Sequence, residues 1–262
     1  MSAAIRIATY NVLADAYLEP AWYAHIEPAA LDPCTRREGL AARIAGLEAD
    51  VACLQEVEPE RFDYLQKALA PLGYTGVFAQ KRRGRPDGCA VFLRPLRARL
   101  VHSEAFHYLD AEAGGEDSGH LALICEIECA LGRLQVAGTH LRWASDETGF
   151  AAHVGWRQVR QLLDARVGSD PQRWVICGDL NGTVESAPLR ELLDRGWIDA
   201  YRAAPQPTCN PNRRAKRIDY LLHSPDLRSV PDPLADIDDG SVLPSRREPS
   251  DHLPLVATFT LD

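Results

Sequence analysis

Short, nearly continuous apolar runs recur along the chain, and most of them end beside a polar or ionisable residue. They cover residues 5–10, 51–54, 90–93, 121–127, 134–139, 174–177, 218–222 and 255–259. Runs of this length without alternation suit strands covered on both faces. Helical spacing appears between some of them. Leu40, Ile44 and Leu47 share a face within 36–48, and Phe62, Leu65 and Leu69 share one within 60–70. Val159, Leu162 and Leu163 do so within 153–166. Ser186 is placed to cap a fourth helix, with Pro188 in its first turn and Leu189, Leu192 and Leu193 behind it. The third, fourth and fifth runs follow one another with no helical pattern between them, which disfavours a barrel of eight βα units. No G-x-G-x-x-G follows the first run, so a dinucleotide fold is not expected either. The pattern predicts an α/β (α+β) protein of mixed sheets with helices packed outside. With no repeat, low-complexity tract or linker, residues 1–262 read as one domain; 110–119 and 231–240 read as surface loops.

Composition narrows the class. At 46% hydrophobic and 25% charged, the 262 residues can fill a core, which excludes disorder as the main state. No apolar stretch approaches the roughly 18 residues of a membrane span, and the start, Met1 to Arg6, lacks the charge and apolar pattern of a secretory signal. The seven cysteines are odd in number, lie mostly inside apolar runs and form no C-x-x-C. They read as reduced, buried hydrophobes in a cytoplasmic protein without structural zinc. A net charge of −8 argues against a nucleic-acid coat protein.

The polar residues beside the runs carry the functional signal. Asn11 follows the first run, Glu56 the second and His140 the fifth; Asp179 and Asn181 follow the sixth. Asp219 lies within the seventh, and Ser250-Asp251-His252 precede the last. A lone Asp or Asn at a strand end is usually a turn former. Burying this many unpaired charges would cost several kcal/mol each, so convergent ends call for a divalent cation. Oxygen donors from Asn11, Glu56, Asp179, Asn181 and Asp251, without cysteine, suit Mg²⁺, with Mn²⁺ as a substitute. His140 and His252 lack zinc-site spacing and fit phosphate contact and proton transfer.

The ordered series Tyr10-Asn11, Leu54-Gln55-Glu56, Thr139-His140, Gly178-Asp179-Leu180-Asn181, Ile218-Asp219-Tyr220 and Ser250-Asp251-His252 resembles the motifs of the endonuclease/exonuclease/phosphatase superfamily. Tyr10 to Asp15, Leu54 to Glu58 and Asp87 to Phe92 are most similar to its deadenylase/nocturnin/Angel branch. The resemblance implies a four-layer αββα sandwich with a Mg²⁺-dependent phosphoesterase site where the loops of the two sheets meet. It further implies Glu56 as the central metal ligand, with Asn11 and Asp251 close to the metal. Asp179 would orient or deprotonate the attacking water, assisted by Asn181. His140 and His252 would stabilise charge on phosphate oxygens, and Asp219 would hold His252.

The basic runs 81–85 and 213–217 lead directly into two of these motifs, and Arg142 sits two residues past His140. Arg82, Arg83 and Arg142 are therefore expected to attract a phosphorylated substrate. Deadenylases place an aromatic residue shortly before Ile-Asp-Tyr, whereas residues 208–214 here contain none, so base stacking is not expected at that place. Two catalytic readings stay open. One is a 3′-5′ exoribonuclease acting on RNA; the other is a phosphatase removing a terminal, 2′,3′-cyclic or 2′-phosphate from RNA or a small nucleotide. A non-catalytic nucleic-acid-binding module should have lost one or more of these carboxylates or histidines. Neither a membrane nor an obligate protein partner is expected.

Overall fold

The computed structural model describes residues 3–111, 115–145, 147–166 and 173–262; Met1, Ser2 and residues 112–114 of the expected 110–119 loop lie outside them. The apolar runs pair into two six-stranded mixed sheets. The first contains β1 (Ile5–Asn11), β2 (Val51–Val57), β3 (Thr75–Gln80), β4 (Gly88–Leu93), β11 (Leu227–Pro231) and β12 (Leu255–Leu261), in the order β11-β12-β1-β2-β4-β3. The second contains β5 (Ala98–His107), β6 (Leu121–Cys129), β7 (Gly132–His140), β8 (Trp174–Asp179), β9 (Ile198–Asp199) and β10 (Asp219–His223), in the order β5-β6-β7-β8-β10-β9.

Strand alternation explains why the runs are continuously apolar. Ile5 and Ile7 of β1 enter the core between the sheets, while Ala8 and Tyr10 pack outward under helices α2 (Pro33–Gly46) and α3 (Pro59–Leu69). On the second sheet, Leu221 faces the inter-sheet core and Tyr220 the opposite side, where α4 (Val154–Arg166) and α5 (Ala187–Asp194) pack. Each sheet is thus apolar on both faces, giving the expected αββα layering. A 3-10 turn, Asp15–Tyr17, and a short helix, α1 (Pro28–Leu31), precede α2.

Four strands escape the sequence reading. β5 is a long edge strand whose residues are mostly exposed or half-exposed, so it lacks an apolar run. β3 is the other sheet's edge, β9 has two residues, and β11 takes up the first residue of the expected 231–240 loop. Helix α2 begins earlier than its apolar face suggests, because Asp32 accepts from the Thr35 N–H at 2.8 Å and Pro33 occupies the first turn. Ser186 does precede α5, but its hydroxyl donates back to the Thr183 carbonyl at 2.6 Å and makes no capping bond.

Strand direction gathers the polar ends. β1 and β2 are parallel, as are β7 and β8, so Asn11 and Glu56 leave one edge of the first sheet while His140 and Asp179 leave one edge of the second. β10 runs antiparallel to β8 and begins with Asp219 opposite Asp179. β12 runs antiparallel to β1, so the residues just before it, Asp251 and His252, arrive at the same edge.

Candidate active site

The register of β2 slips between Leu54 and Val57, and Glu56 takes a left-handed backbone with φ of 58°. Such a bulge re-aims one side chain; here Glu56 Oε1 accepts from Asn11 Nδ2 at 2.9 Å and Oε2 from the Ala14 N–H at 3.0 Å. Asn11 Nδ2 also donates to Asp179 Oδ2 at 3.0 Å, while its Oδ1 accepts from the Leu13 N–H at 3.0 Å. Asn11 is therefore a clamp between carboxylates from the two sheets, and its oxygen is already engaged. Gly178 allows the approach of β8 to β7, because a Cβ there would lie 1.8 Å from the Thr139 carbonyl oxygen.

Asp179 occupies the centre. Its Oδ2 lies 3.8 Å from Nε2 of both His140 and His252, and its Oδ1 accepts from the Asn181 N–H at 2.9 Å. Burial, followed by the charge of Asp219, pushes its carboxyl up to about 7. Burial likewise raises Glu56. Asp251 Oδ2 accepts from the Tyr23 hydroxyl at 2.9 Å, whereas Oδ1 is buried without a hydrogen-bond partner, 3.9 Å from His252 Nε2.

The two histidines have opposite partners. His252 Nδ1 sits 2.9 Å from Asp219 Oδ2, which the Thr208 hydroxyl also binds at 2.6 Å. Burial opposes a charge on His252, but Asp219, then Asp251 and Asp179, outweigh it and hold the imidazole well above its ordinary range. His140 Nδ1 instead faces Lys81 Nζ at 3.2 Å. Burial first and the Lys81 charge second hold His140 well below the ordinary range. Lys81 is only 4% exposed and pairs with the fully buried Asp87 at 2.6 Å; Asp87 in turn accepts from the Tyr17 hydroxyl at 2.7 Å. Asn181, another left-handed residue, lays its Nδ2 2.9 Å from both His140 Nε2 and the Leu141 carbonyl. His120 packs edge-on against His140 at 5.9 Å and is itself driven down to about 2 by burial.

The structure thus brings together Asn11, Glu56, His140, Asp179, Asn181, Asp219, Asp251 and His252. It adds Lys81, Asp87, Tyr17 and Tyr23, which sequence reasoning left outside the site. The Asp87 motif and the basic run that Lys81 opens are the signals the sequence carries for any of them. Of the basic run 81–85, Lys81 is not a solvated charge, and Arg85 donates to the Ser118 carbonyl at 2.9 Å. Arg83 pairs with Glu116 at 3.2 Å and Asp117 at 3.3 Å, so a substrate would have to compete for it; Arg82 and Arg142 are exposed. In the second basic run, Arg217 pairs with Asp199 at 2.5 Å and lies over the Tyr220 ring, a packing role. Trp143 is 62% exposed.

The donor set fits a hard divalent cation. Glu56, Asp179 and Asp251 supply carboxylate oxygens, and the partnerless Asp251 Oδ1 and the raised Asp179 both register uncompensated negative charge. Glu56, His140 and Asp179 offer atoms within 4.8 Å of one another. Cys209, Asp219 and His252 also cluster, but the Asp219–His252 bond occupies that group and burial holds the Cys209 thiol well above its ordinary range.

Known proteins share this fold and parts of this sequence. Among curated proteins, carbon catabolite repressor protein 4 homolog 4 of Arabidopsis thaliana is 37% identical over 106 residues, 40% of this chain and 25% of that protein. The CCR4-Not complex 3′-5′-exoribonuclease subunit Ccr4 of Saccharomyces cerevisiae is 24% identical across 97% of this chain and 38% of its own length. The chain therefore spans between a quarter and two fifths of the length of these relatives. The human Nocturnin catalytic domain with bound sulfate superposes with a TM-score of 0.75 at 26% identity, covering 99% of this chain and 94% of that one. ANGEL2, a 2′,3′-cyclic phosphatase solved with adenosine-2′,3′-vanadate, gives 0.83 at 20% identity over 98% and 96%. The sequence profile of the Endonuclease/Exonuclease/phosphatase family matches residues 8–252. Spanning nearly all of the strands that build the site, this match shows that the chain belongs to the endonuclease/exonuclease/phosphatase family, whose named activities are all cleavages of phosphoester bonds.

Proposed function

We propose that this protein is a divalent-metal-dependent phosphoesterase that acts on RNA at a 3′ end, as a 3′-5′ exoribonuclease or phosphodiesterase. The observation that carries this reading is the placement of Asp179, buried at the centre of the cleft with its Oδ2 3.8 Å from Nε2 of both His140 and His252 and tied through Asn11 to Glu56. A carboxylate so placed is within reach of a water's proton. Asp179 receives or orients the proton of the attacking water, and Asn181 bonds that water or a phosphate oxygen. The His252 imidazolium, held by Asp219, and His140 donate to the non-bridging oxygens as their charge grows. Glu56 and Asp251 hold Mg²⁺, or Mn²⁺ in its place, with Asn11 tying Glu56 to Asp179. When bound, the ion supplies charge neutralisation at the phosphate and the leaving oxygen.

A second reading, phosphatase action on a terminal, 2′,3′-cyclic or 2′-phosphate of RNA or a small nucleotide, is favoured by the absence of an aromatic side chain in residues 208–214. The likeness to Ccr4, a 3′-5′-exoribonuclease subunit, and to ANGEL2, a 2′,3′-cyclic phosphatase, is in keeping with either leaving group. We assign a cytoplasmic location, because all seven cysteines are free thiols. No helix among the described residues is long and apolar enough to cross a membrane. We also propose that no obligate protein partner is needed for the chemistry.

The test uses purified protein and Glu56→Ala with Mg²⁺ or Mn²⁺ on 5′-labelled single-stranded RNA ending in hydroxyl, monophosphate or 2′,3′-cyclic phosphate. A shortening ladder abolished by the substitution supports the exonuclease. Loss of the terminal phosphate alone supports the phosphatase. If RNA and small phosphorylated nucleotides are all left untouched, the catalytic reading falls.

A further inference from the structure

The Lys81–Asp87 pair joins the edge of the first sheet to a histidine of the second. Lys81 follows β3 directly, Asp87 immediately precedes β4, and His140 ends β7. Both charged side chains are essentially inaccessible, at 1% and 0% exposure, and Tyr17 closes the far side of Asp87. A buried ion pair gives up much of its attraction to desolvation, so its presence alone says little about stability. Its placement is more informative, since the same ammonium also reaches a ring nitrogen in the catalytic cleft.

We propose that Lys81 is a positioning residue that fixes the tautomer of His140, keeping its proton on Nε2, the nitrogen that faces the reaction centre. A neutral imidazole accepts at one nitrogen and donates at the other. His140 has a donor on each side: Lys81 Nζ at Nδ1 and Asn181 Nδ2 at Nε2. Both cannot be satisfied. An ammonium has three hydrogens and no accepting lone pair, whereas a carboxamide can turn to present its oxygen, here by giving up the Asn181 Nδ2 bond to the Leu141 carbonyl at 2.9 Å. Lys81 therefore decides, Nδ1 accepts, and Nε2–H points toward Asp179 at 3.8 Å and Asn181 at 2.9 Å. Asp87 holds the ammonium in place at 2.6 Å, and Tyr17 orients Asp87 at 2.7 Å.

Without the ammonium the preference reverses. Glu56 Oε1, 3.9 Å from Nδ1, is then an acceptor on that side, and the Asn181 carboxamide is free to present its N–H to Nε2 on the other. The proton then moves to Nδ1, and Nε2 becomes an acceptor facing the substrate's anionic oxygens, the wrong polarity for binding them.

This inference rests on the phosphoesterase reading for its consequence but not for its test. The experiment is nitrogen-15 NMR of histidine-labelled protein, with His140 assigned by loss of its signals in His140→Gln. The variants are Lys81→Met and, so that Asp87 is not left as an unpaired buried charge, Lys81→Met/Asp87→Asn. The wild type should show the hydrogen on Nε2, and both variants should shift His140 toward the Nδ1–H form. In turnover, kcat should fall about 10–100-fold, a fraction of the range typical of acid–base groups, with KM changed less than about threefold. A wild-type proton on Nδ1, or an unchanged tautomer in whichever variant folds, overturns the proposal. So does a loss of activity without a change of tautomer. A wild type that shows the Nε2 proton but cleaves no phosphoester overturns the functional reading and leaves the tautomer assignment standing.

Discussion

The cleft has two corners built from the same residue type and driven to opposite states. At the β10–β12 corner, a carboxylate meets His252 Nδ1 at 2.9 Å and the ring is held as a cation. At the β3–β4–β7 corner, an ammonium meets His140 Nδ1 at 3.2 Å and the ring is held neutral. Both rings are buried, so burial alone would make both neutral. The sign of the partner on the far nitrogen makes the difference. With Asp179 equidistant from the two Nε2 atoms at 3.8 Å, the site offers a charged and an uncharged donor on either side of one central carboxylate.

The largest expected effect comes from erasing this contrast at the charged corner. Asp219→Asn removes the charge that holds His252 as a cation, and kcat should fall by about 10³–10⁴-fold, the scale seen when an orienting carboxylate is neutralised beside a catalytic histidine. Steady-state kinetics at saturating Mg²⁺ test this; a loss below tenfold would break the comparison. His140→Gln, which keeps a donor at the neutral corner, should cost less, about 10²-fold in kcat. If the two losses are equal, the charge of His252 carries no special weight.

The pH dependence of stability should separate the corners by sign. His252 has a raised affinity in the folded state, so its stabilisation is complete below about 6.5 and is lost as pH rises through its folded value. His140 has a lowered affinity, so its contribution is present above about 6.5 and is lost as pH falls and the unfolded chain takes up the proton. Melting curves between pH 5 and about 8, in chelator, should show His252→Gln flattening the alkaline side and His140→Gln flattening the acid side. Asp179, pushed up to about 7, adds a loss of stability as pH rises from the ordinary carboxylate range toward 7, because the folded state binds its proton more tightly. Mg²⁺ should recover that loss, and in Asp179→Asn the recovery should shrink.

The smallest effects lie outside both corners. Arg142→Ala, which removes an exposed guanidinium two residues past His140, should raise KM a few-fold with folding intact. Arg83→Ala should change kcat/KM by less than about twofold, since that side chain is exposed and already paired with Glu116 and Asp117. Equal effects of the two would mean that the 81–85 loop reaches the substrate despite its own ion pairs.

Much of this molecule is legible in its sequence where local pattern and burial coincide. β1, β2, β7, β8 and β12 are apolar runs because both sheet faces are covered, and their polar ends mark the cleft. β5 is invisible to the same reasoning because an edge strand with mostly exposed side chains has no such run. Lys81 fails for a related reason. In sequence it opens a basic, Gly- and Pro-containing stretch that reads as a solvated loop, yet it is buried against Asp87, six residues later, and His140, fifty-nine residues later.

By itself, then, the sequence determined mixed sheets with helices outside and the identity of the polar residues at the strand ends, through apolar periodicity and residue type, while the two-sheet architecture and the family were legible through the resemblance of its ordered motifs. Only the tertiary structure decided what each of those groups is. The proton of a histidine is governed by burial and by the charge lying about 3 Å from its far nitrogen. That neighbour, Asp219 for one ring and Lys81 for the other, is supplied by strands brought together from distant parts of the chain.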